Sequence, residues 1–332
     1  MTKKLTVLIL SVALGAILFV LSGGAQEELP PLLKEKLPVE IYYLVGGPEG
    51  EIFATVKYNG AMAAKAILGD RIDLKIFWGK WDPQLDASLF QQAMAAHPDG
   101  ISVIGWDAVK PFIPEAVNQG VIVALQNVDL PQVREKYGLG YVGQNLYQSG
   151  YLLGKATVEH AALKPGDRAL VWGLLSQPAR GERTKGVIDA LKEAGVVVDY
   201  IEISPEVNAS PVQGIPVITA YLASHPDCKA VITDHGAMTA TQEQYFKAAG
   251  LGPDEIFGAG FDLSPATAAA IKSGYTDLVL DQQPFLQGFL PIIQIYLTKL
   301  YGFSGLYIDT GGGLVDRSNI DLVASLAELG LR

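Results

Sequence analysis

Short apolar segments alternate with helical segments along most of the chain, and this alternation restricts the fold more than any other feature. Segments 40–45, 101–105 and 121–125 are short and mainly apolar, which indicates strands buried on both faces. The segments between strands, such as 53–68, carry apolar residues at helical spacing. Buried strands that alternate with helices form parallel sheets covered by helices. The pattern therefore predicts a layered α/β protein.

The sequence pattern predicts two such layered units. Its 332 residues suffice for two domains of roughly 150 residues each. About eight strand and helix units are recognisable, and the alternation breaks around residues 138–144 before it restarts. We therefore expect two doubly wound parallel-sheet lobes.

Composition excludes several classes of protein. Hydrophobic residues make up 49% and charged residues 18%, which excludes a disordered chain. The formal net charge of −10 offers no bulk attraction for nucleic acid or anionic lipid. The single cysteine, Cys228, cannot form an internal disulfide, and the four histidines contain no H-x-x-x-H pattern. We expect neither a metal site nor a cofactor.

The first 25 residues differ from the rest and predict export. Lys3 and Lys4 precede an almost uninterrupted apolar stretch, 5–21, and small residues follow it. These are the parts of a secretory signal peptide, residues 1–25, with cleavage expected after Ala25. An uncleaved anchor is the alternative, because the stretch approaches the roughly 18 residues that a membrane span needs. Residues 26–36 then predict a short tether.

Polar and aromatic side chains collect directly after the predicted strands. In open parallel sheets, ligands bind outside the carboxyl ends of the strands. Aromatic faces suit the C–H face of a sugar, while amide, carboxylate and guanidinium groups suit its hydroxyls. The residues at these positions are Trp78, Trp81, Trp106, Trp172, Gln126, Asn127, Arg183, Asp262 and Gln282.

Several of these residues also have a structural interpretation. A tryptophan at a strand end is often a packing residue. Arg183 and Asp262 could form an ordinary ion pair, and Gln282 could be a hinge residue only. Gln126 and Asn127 could satisfy backbone groups of a loop.

Six segments, in order along the chain, resemble motifs of the type I periplasmic sugar-binding proteins, the ribose-binding family. Segment 53–61 (FATVKYNGA) resembles the first-helix signature of that family, and segment 258–262 (GAGFD) resembles its G-F-D motif. The resemblance extends from about residue 40 to residue 321. The other four segments are 143–150, 181–186, 230–238 and 281–284.

This resemblance implies an exported solute-binding protein that closes two lobes around a small sugar or polyol and delivers it to the membrane permease of an ABC importer. It implies an N-terminal lobe of residues 37–144 and 284–308, and a C-terminal lobe of residues 145–283 and 309–332. Three crossings of the chain, near residues 144, 283 and 309, would form the hinge. We expect a monomer in the periplasm or at the outer face of the cell membrane.

The resemblance also assigns roles to individual residues. Phe53 would stack on the sugar, Arg183 would donate hydrogen bonds from the second lobe, and Asp262 would accept them. Gln282 would bind the ligand beside the hinge. His235 occupies a position that the family usually fills with Asn, although it could instead cap the helix that follows.

The chain departs from the family where specificity is decided. Gln126 and Asn127 replace a frequent Asp-Arg pair, which removes charge-assisted hydrogen bonds. Segment 207–210 contains no aromatic residue where the opposing ring is often found, so we expect Trp106 or Trp172 to supply that ring. The expected ligand is therefore a monosaccharide other than ribose, a polyol or a furanose-like signal.

Two alternatives to a transport protein for sugars stay open, because they use the same fold. They are a sensory receptor for a sugar or autoinducer and a nucleoside-binding protein. An enzyme is not expected, because the sequence has no G-x-S-x-G motif and no histidine tied to a nucleophile. A glycosidase needs two positioned carboxylates, and Asp234 with Asp262 is the only pair among the predicted cleft residues.

Overall fold

The computed structural model describes residues 29–332. The predicted signal peptide, residues 1–25, lies outside the described residues, and the described part of the predicted tether contains the short helix α1 (Pro31–Lys34). Residues Pro38–Arg332 form one compact unit. No helix within 29–332 has the length and apolar character that a membrane span requires.

Twelve strands form two sheets of six strands each among the described residues. Sheet A has the order β11-β5-β4-β3-β1-β2, and sheet B has the order β12-β10-β9-β8-β6-β7. In chain order the strands are β1 (Val39–Leu44), β2 (Ile72–Phe77), β3 (Gly100–Ile104), β4 (Ile122–Asn127), β5 (Gly140–Gly143), β6 (Arg168–Gly173), β7 (Val197–Glu202), β8 (Cys228–Thr233), β9 (Phe257–Phe261), β10 (Leu278–Asp281), β11 (Tyr307–Asp309) and β12 (Gly313–Asp316).

Helices connect successive parallel strands. After α1 they are α2 (Ile52–Leu68), α3 (Pro83–Ala95), α4 (Ile113–Asn118), α5 (Pro131–Tyr137), α6 (Leu146–His160), α7 (Gly181–Glu193), α8 (Pro205–Ala209), α9 (Ile215–Ser224), α10 (Gly236–Thr239), α11 (Gln242–Ala248), α12 (Pro265–Ser273), α13 (Pro284–Tyr301) and α14 (Ile320–Glu328). Short 3-10 turns occur at Gly69–Arg71, Lys110–Phe112 and Pro211–Gly214.

The prediction of two parallel-sheet α/β lobes is confirmed. Every strand pair in both sheets is parallel except β10 with β12, which is antiparallel. All five residues of β3 are buried, as expected for a strand covered on both faces. One core cluster of sheet A contains Phe90 and Leu125, and sheet B has separate clusters around Tyr245 and Phe261.

The chain passes between the two sheets three times. It leaves sheet A after β5, returns with α13, which packs on α2 and on β4 and β5, and leaves sheet A again between β11 and β12. The last segment that joins the sheets therefore provides one edge strand of each sheet, β11 in sheet A and β12 in sheet B. Gln283, at the second crossing, has a left-handed backbone (φ 56°).

Two glycines allow α2 and α13 to pack at backbone distance. A Cβ atom on Gly288 would collide with the carbonyl oxygen of Lys57, and one on Gly60 would collide with that of Phe285. Interiors are packed closely enough that such added volume is not absorbed without movement. The contact therefore fixes how α13 returns to sheet A.

Replacing Gly288 by Ala should destabilise the protein. The added methyl group must push α13 away from α2, and we expect a loss of about 2–3 kcal/mol in the free energy of unfolding, measured by denaturant titration. Gly312→Ala is the matched control, because a Cβ at that position meets no atom within 4 Å. Equal stabilities of the two variants would contradict this account of the helix contact.

Candidate functional site

A cavity lies at the carboxyl ends of strands from both sheets. Residues that follow β1, β2 and β3, together with Asn127 at the end of β4, line it from sheet A, and residues that follow β6 to β10 line it from sheet B. This is the edge at which the strand pattern predicted a ligand. The structure brings seven of the predicted residues to this cavity: Phe53, Trp106, Asn127, Arg183, His235, Asp262 and Gln282.

Two predicted residues lie elsewhere, and we correct their placement. Gln126 is fully buried inside β4 and donates from Nε2 to the carbonyl oxygen of Leu44 at 2.7 Å, so it serves the sheet. Trp172 is 1% exposed in the core of sheet B, with its ring 5.5 Å from that of Tyr245. Successive strand residues face opposite sides, and in both cases the side chain faces the protein interior.

The wall carried by sheet A is aromatic. The rings of Phe53 and Trp81 lie 5.8 Å apart at an angle of 58°. The indole N–H of Trp106 donates to Oδ2 of Asp86 at 2.8 Å, which fixes the orientation of that ring. The carboxylate of Glu51 accepts the backbone N–H groups of Phe53 and Ala54 and so caps the start of α2. The ring positions are thus set by hydrogen bonds behind them.

A buried lysine lies behind the same wall. Lys57 is fully buried, donates from Nζ to the carbonyl oxygen of Val45 at 2.6 Å, and lies 6.0 and 5.6 Å from the ring centres of Phe53 and Trp81. Burial lowers the pKa of Lys57 to about 7, although the negative charge of Asp86 acts against that shift. Burial likewise raises the pKa of Asp86 to about 6.

The wall carried by sheet B is polar and is built around one carboxylate. Asp234 follows β8, is fully buried, and accepts hydrogen bonds from the hydroxyl of Thr184 and from Nε of Arg183 at 2.5 Å. Arg180 donates to the same carboxylate at 3.2 and 3.3 Å. Burial alone would raise the pKa of Asp234, but the charges of both arginines outweigh it, and the pKa lies below its usual value. This network keeps two guanidinium groups in place beside the cavity.

Arg183 has two further contacts that define its position. Its Nη1 donates to Oε1 of Gln144 at 2.9 Å, at the first crossing between the sheets. The guanidinium also lies over the ring of Phe261, 3.8 Å from the ring centre. Arg183 is 2% exposed and lines the cavity, so it borders the ligand space from a rigid, buried setting.

A chain of hydrogen bonds links the two sheets across the cavity. Nδ2 of Asn127 donates to Oε1 of Gln282 at 3.1 Å, and Nε2 of Gln282 donates to Oδ1 of Asp262 at 2.6 Å. Asn127 and Asp262 both have left-handed backbones, with φ of 64° and 72°. Burial raises the pKa of Asp262 to about 6, against the effect of the Arg183 charge. Backbone strain and a shifted carboxyl group are common at functional sites.

His235 both lines the cavity and caps a helix. Its Nδ1 accepts the backbone N–H of Ala237 at 3.2 Å at the start of α10. Burial, together with the charges of Arg180 and Arg183, lowers its pKa to about 4. The ring is therefore neutral at pH 7, and with Nδ1 as acceptor the hydrogen resides on Nε2, which can donate.

Sequence reasoning assigned no role to several residues of the cavity. Trp81 was named among the residues that follow predicted strands, and Arg180 lies in such a segment, but neither received a role at the site. Asn208 lies where the family resemblance placed an aromatic ring. Arg332 gave no signal, because it reaches the cavity only through the tertiary fold; its Nε lies 2.9 Å from Oδ2 of the buried Asp281. Within 29–332, no group of three or more His, Cys, Asp or Glu side chains is placed to hold a metal ion.

Comparison with known proteins relates most of the compact unit to one family. The sequence model of the family described as "Periplasmic binding protein domain" matches residues 41–297. The xylose/arabinose-binding protein XylF of Sulfolobus acidocaldarius is 32% identical over 259 residues, which are 71% of this chain and 61% of XylF. The D-ribose/D-allose-binding protein of Pseudomonas aeruginosa is 25% identical over 240 residues, covering 70% of this chain and 73% of that protein.

A solved structure extends the similarity to the fold. A carbohydrate transporter from Acidothermus cellulolyticus 11B, in complex with myo-inositol, superimposes with a TM-score of 0.76 at 27% identity. The match covers 89% of this chain and 99% of that one.

Replacing Asp234 by Asn should destabilise the protein strongly. The variant leaves the buried guanidinium of Arg183 and the largely buried one of Arg180 without their counter-charge, and we expect a loss of about 3–5 kcal/mol in the free energy of unfolding. Because the folded pKa of Asp234 is lowered, the wild-type advantage should be present above the unfolded pKa of roughly 4 and should disappear as pH falls through the folded value.

The matched control is Asp321→Asn. Asp321 pairs with Lys272 at 2.8 Å but is 87% exposed, so its loss should cost less than about 1 kcal/mol. Denaturant titrations of both variants between pH 3 and pH 8 measure these differences. A D234N variant as stable as D321N at pH 7 would refute the central role of the carboxylate.

Proposed function

The chain belongs to the family of periplasmic binding proteins, and we propose that it captures a small sugar or polyol between two closing lobes and delivers it to the permease of an ABC importer. In this proposal the protein is exported, acts in the periplasm or at the outer face of the cell membrane, and catalyses no reaction. The names of its relatives support this class of ligand, since they are binding proteins for xylose, arabinose, ribose and allose.

The observation that carries the proposal is the pairing of an aromatic wall with a hydrogen-bonding wall in one cavity. A sugar or cyclitol has a C–H face that packs on aromatic rings and hydroxyls that both donate and accept. Phe53, Trp81 and Trp106 offer the rings. Arg183 and Asp262 offer a charged donor and a charged acceptor, which form stronger hydrogen bonds than neutral groups do.

The remaining polar residues complete the proposed set. Asn127 and Gln282 would bind the ligand beside the second crossing, where they already bond to each other. Neutral His235 would donate from Nε2. Because Arg183 and Asn127 each keep partners within the protein, their positions are set before the ligand arrives, which lowers the entropic cost of binding.

Closure follows from the position of these contacts. In the proposed division, residues 37–144 and 284–308 form the first lobe, and residues 145–283 and 309–332 form the second. Asn127 then belongs to the first lobe, and Asp262 and Gln282 belong to the second. A ligand that contacts both lobes favours the closed form in proportion to its preference for that form. The permease would then distinguish the closed surface from the open one.

A thermal-shift screen of the purified protein against pentoses, hexoses, polyols, nucleosides and amino acids tests the ligand class. A ligand at about 1,000 times its dissociation constant should add roughly 4 kcal/mol of stability, which is a shift of several degrees. We expect the hits among sugars or polyols, with compaction in solution scattering at saturating ligand. Hits only among nucleosides or amino acids, or binding without compaction, would contradict the proposal.

Replacing Asp262 by Ala should abolish binding while the fold is retained, because the ligand loses its charged acceptor. Titration calorimetry with the best ligand of the screen measures the affinity, and the melting temperature without ligand reports the fold. Asp321→Ala, at the exposed ion pair with Lys272, is the control. Unchanged affinity of the D262A variant would remove Asp262 from the site.

Binding should weaken below pH 6. Only the carboxylate form of Asp262 accepts hydrogen bonds from two hydroxyls, and its pKa is about 6, so affinity should fall up to tenfold for each pH unit well below that value. Between pH 5 and 8 His235, with a pKa of about 4, stays neutral and contributes little.

The variant Asp262→Asn separates this effect from the other groups that titrate nearby. It should bind more weakly than the wild type at pH 7.5 but with an affinity that stays constant down to pH 5. An equally steep pH dependence in D262N would assign the effect to Lys57 and Asp86, whose pKa values are about 7 and about 6.

A further inference from the structure

The two walls of the cavity differ in kind. The phenyl and indole rings that line it within the described chain are Phe53, Trp81 and Trp106, and all three are carried by sheet A, on α2 and on the segments after β2 and β3. The facing residues from the segments after β6 and β7 are mainly polar, namely Gln177, Arg180 and Asn208, with Leu174. A bound ring would therefore meet aromatic rings on one side and amide and guanidinium groups on the other.

Asn208 is held firmly on this polar side. It lies in α8, which Ser204 caps: the side-chain hydroxyl of Ser204 accepts the backbone N–H of Val207 at 3.3 Å. Val207 is 5% exposed and packs in a core cluster of sheet B. The neighbouring Asn208 is thus anchored by a cap and a buried side chain.

The amide oxygen of Asn208 has a hydrogen-bonding capacity that the protein does not use. Its Oδ1 is buried, and no donor in residues 29–332 reaches it. A buried acceptor without a partner costs roughly 1–3 kcal/mol, so such groups in a cavity point to a donor that arrives with the ligand. The donor that a sugar or cyclitol offers is a hydroxyl.

The stereochemistry of the ring decides whether a hydroxyl can face Asn208. A ring with all its hydroxyls equatorial presents C–H groups on both faces and suits a site with aromatic rings on both sides. A ring with an axial hydroxyl has one C–H face and one polar face. Such a ring can pack its C–H face on Phe53 and Trp81 while the axial hydroxyl donates to Asn208.

We propose that Asn208 is a specificity-determining residue that selects rings carrying an axial hydroxyl on the face opposite the aromatic wall. This inference rests on the proposed function and names the ligand class within it. The site prefers the axial member of each epimer pair: D-galactose over D-glucose, L-arabinose over D-xylose, and myo-inositol over scyllo-inositol.

Titration calorimetry of the full protein with the three epimer pairs tests the inference. For the pair that contains the best ligand, the wild type should bind the axial epimer roughly two- to tenfold more tightly, the size of one hydrogen bond. Asn208→Ala and the similarly sized Asn208→Leu should weaken the axial epimer by roughly two- to tenfold, the size of one hydrogen bond, and leave the equatorial epimer nearly unchanged. Asn208→Phe supplies an opposing ring and should shift the preference toward the equatorial epimer.

A control variant and three contrary outcomes separate a specificity role of Asn208 from a structural one. Asn118→Ala removes an exposed amide at the end of α4 and should change neither affinity. Tighter binding of the equatorial epimer by the wild type would overturn the inference, and so would an unchanged epimer preference in both N208A and N208L. If these variants also melt at lower temperatures than the wild type, Asn208 is a structural residue. Failure of the wild type to bind any sugar or polyol would instead overturn the proposed function.

Discussion

The carboxylate of Asp234 is the interaction on which the polar half of the site depends. It lies at the end of β8 and binds Arg180, Arg183 and Thr184, the latter two at the start of α7. Without this negative charge, the buried guanidinium of Arg183 and the largely buried one of Arg180 would repel each other and would lack a counter-charge. Arg183 extends the network to Gln144, where the chain first leaves sheet A. One buried anion thus joins the cavity wall to the crossing about which closure is proposed.

The layered fold and the edge that holds the cavity could be predicted because both follow from local patterns. Short buried strands and helical spacing are visible in sequence, and parallel strands place their carboxyl ends on one edge. Asp262 and Gln282 were accordingly expected at this edge from their positions after strands, and Phe53 was expected there from the family resemblance. The antiparallel pairing of β12 with β10 was not foreseen, because a short strand after Gly311–Gly313 carries no information about its direction.

The errors at the site have a common physical origin. Gln126 and Asn127 are adjacent, yet Gln126 bonds within sheet A, while Asn127 turns into the cavity on a left-handed backbone. A pattern with period two cannot indicate at which residue a strand ends and the backbone changes conformation. Trp172, one residue inside the end of β6, was misplaced for the same reason. Arg332 reaches the site through tertiary packing, which spacing along the chain does not encode.

The arrangement of the edge strands has a consequence for the order of folding. Sheet A begins first in the sequence, but its edge strand β11 pairs with β5, and α13 covers β4 and β5, only after all the residues of β6–β10 have been synthesised. Until then β5 has an unpaired edge, and β4 and β5 lack the helix that covers them on one face, a state prone to association with other chains. Sheet B lacks only β12 at that stage. The half of the protein that is synthesised first is therefore completed late, and contacts this distant in sequence favour slow folding.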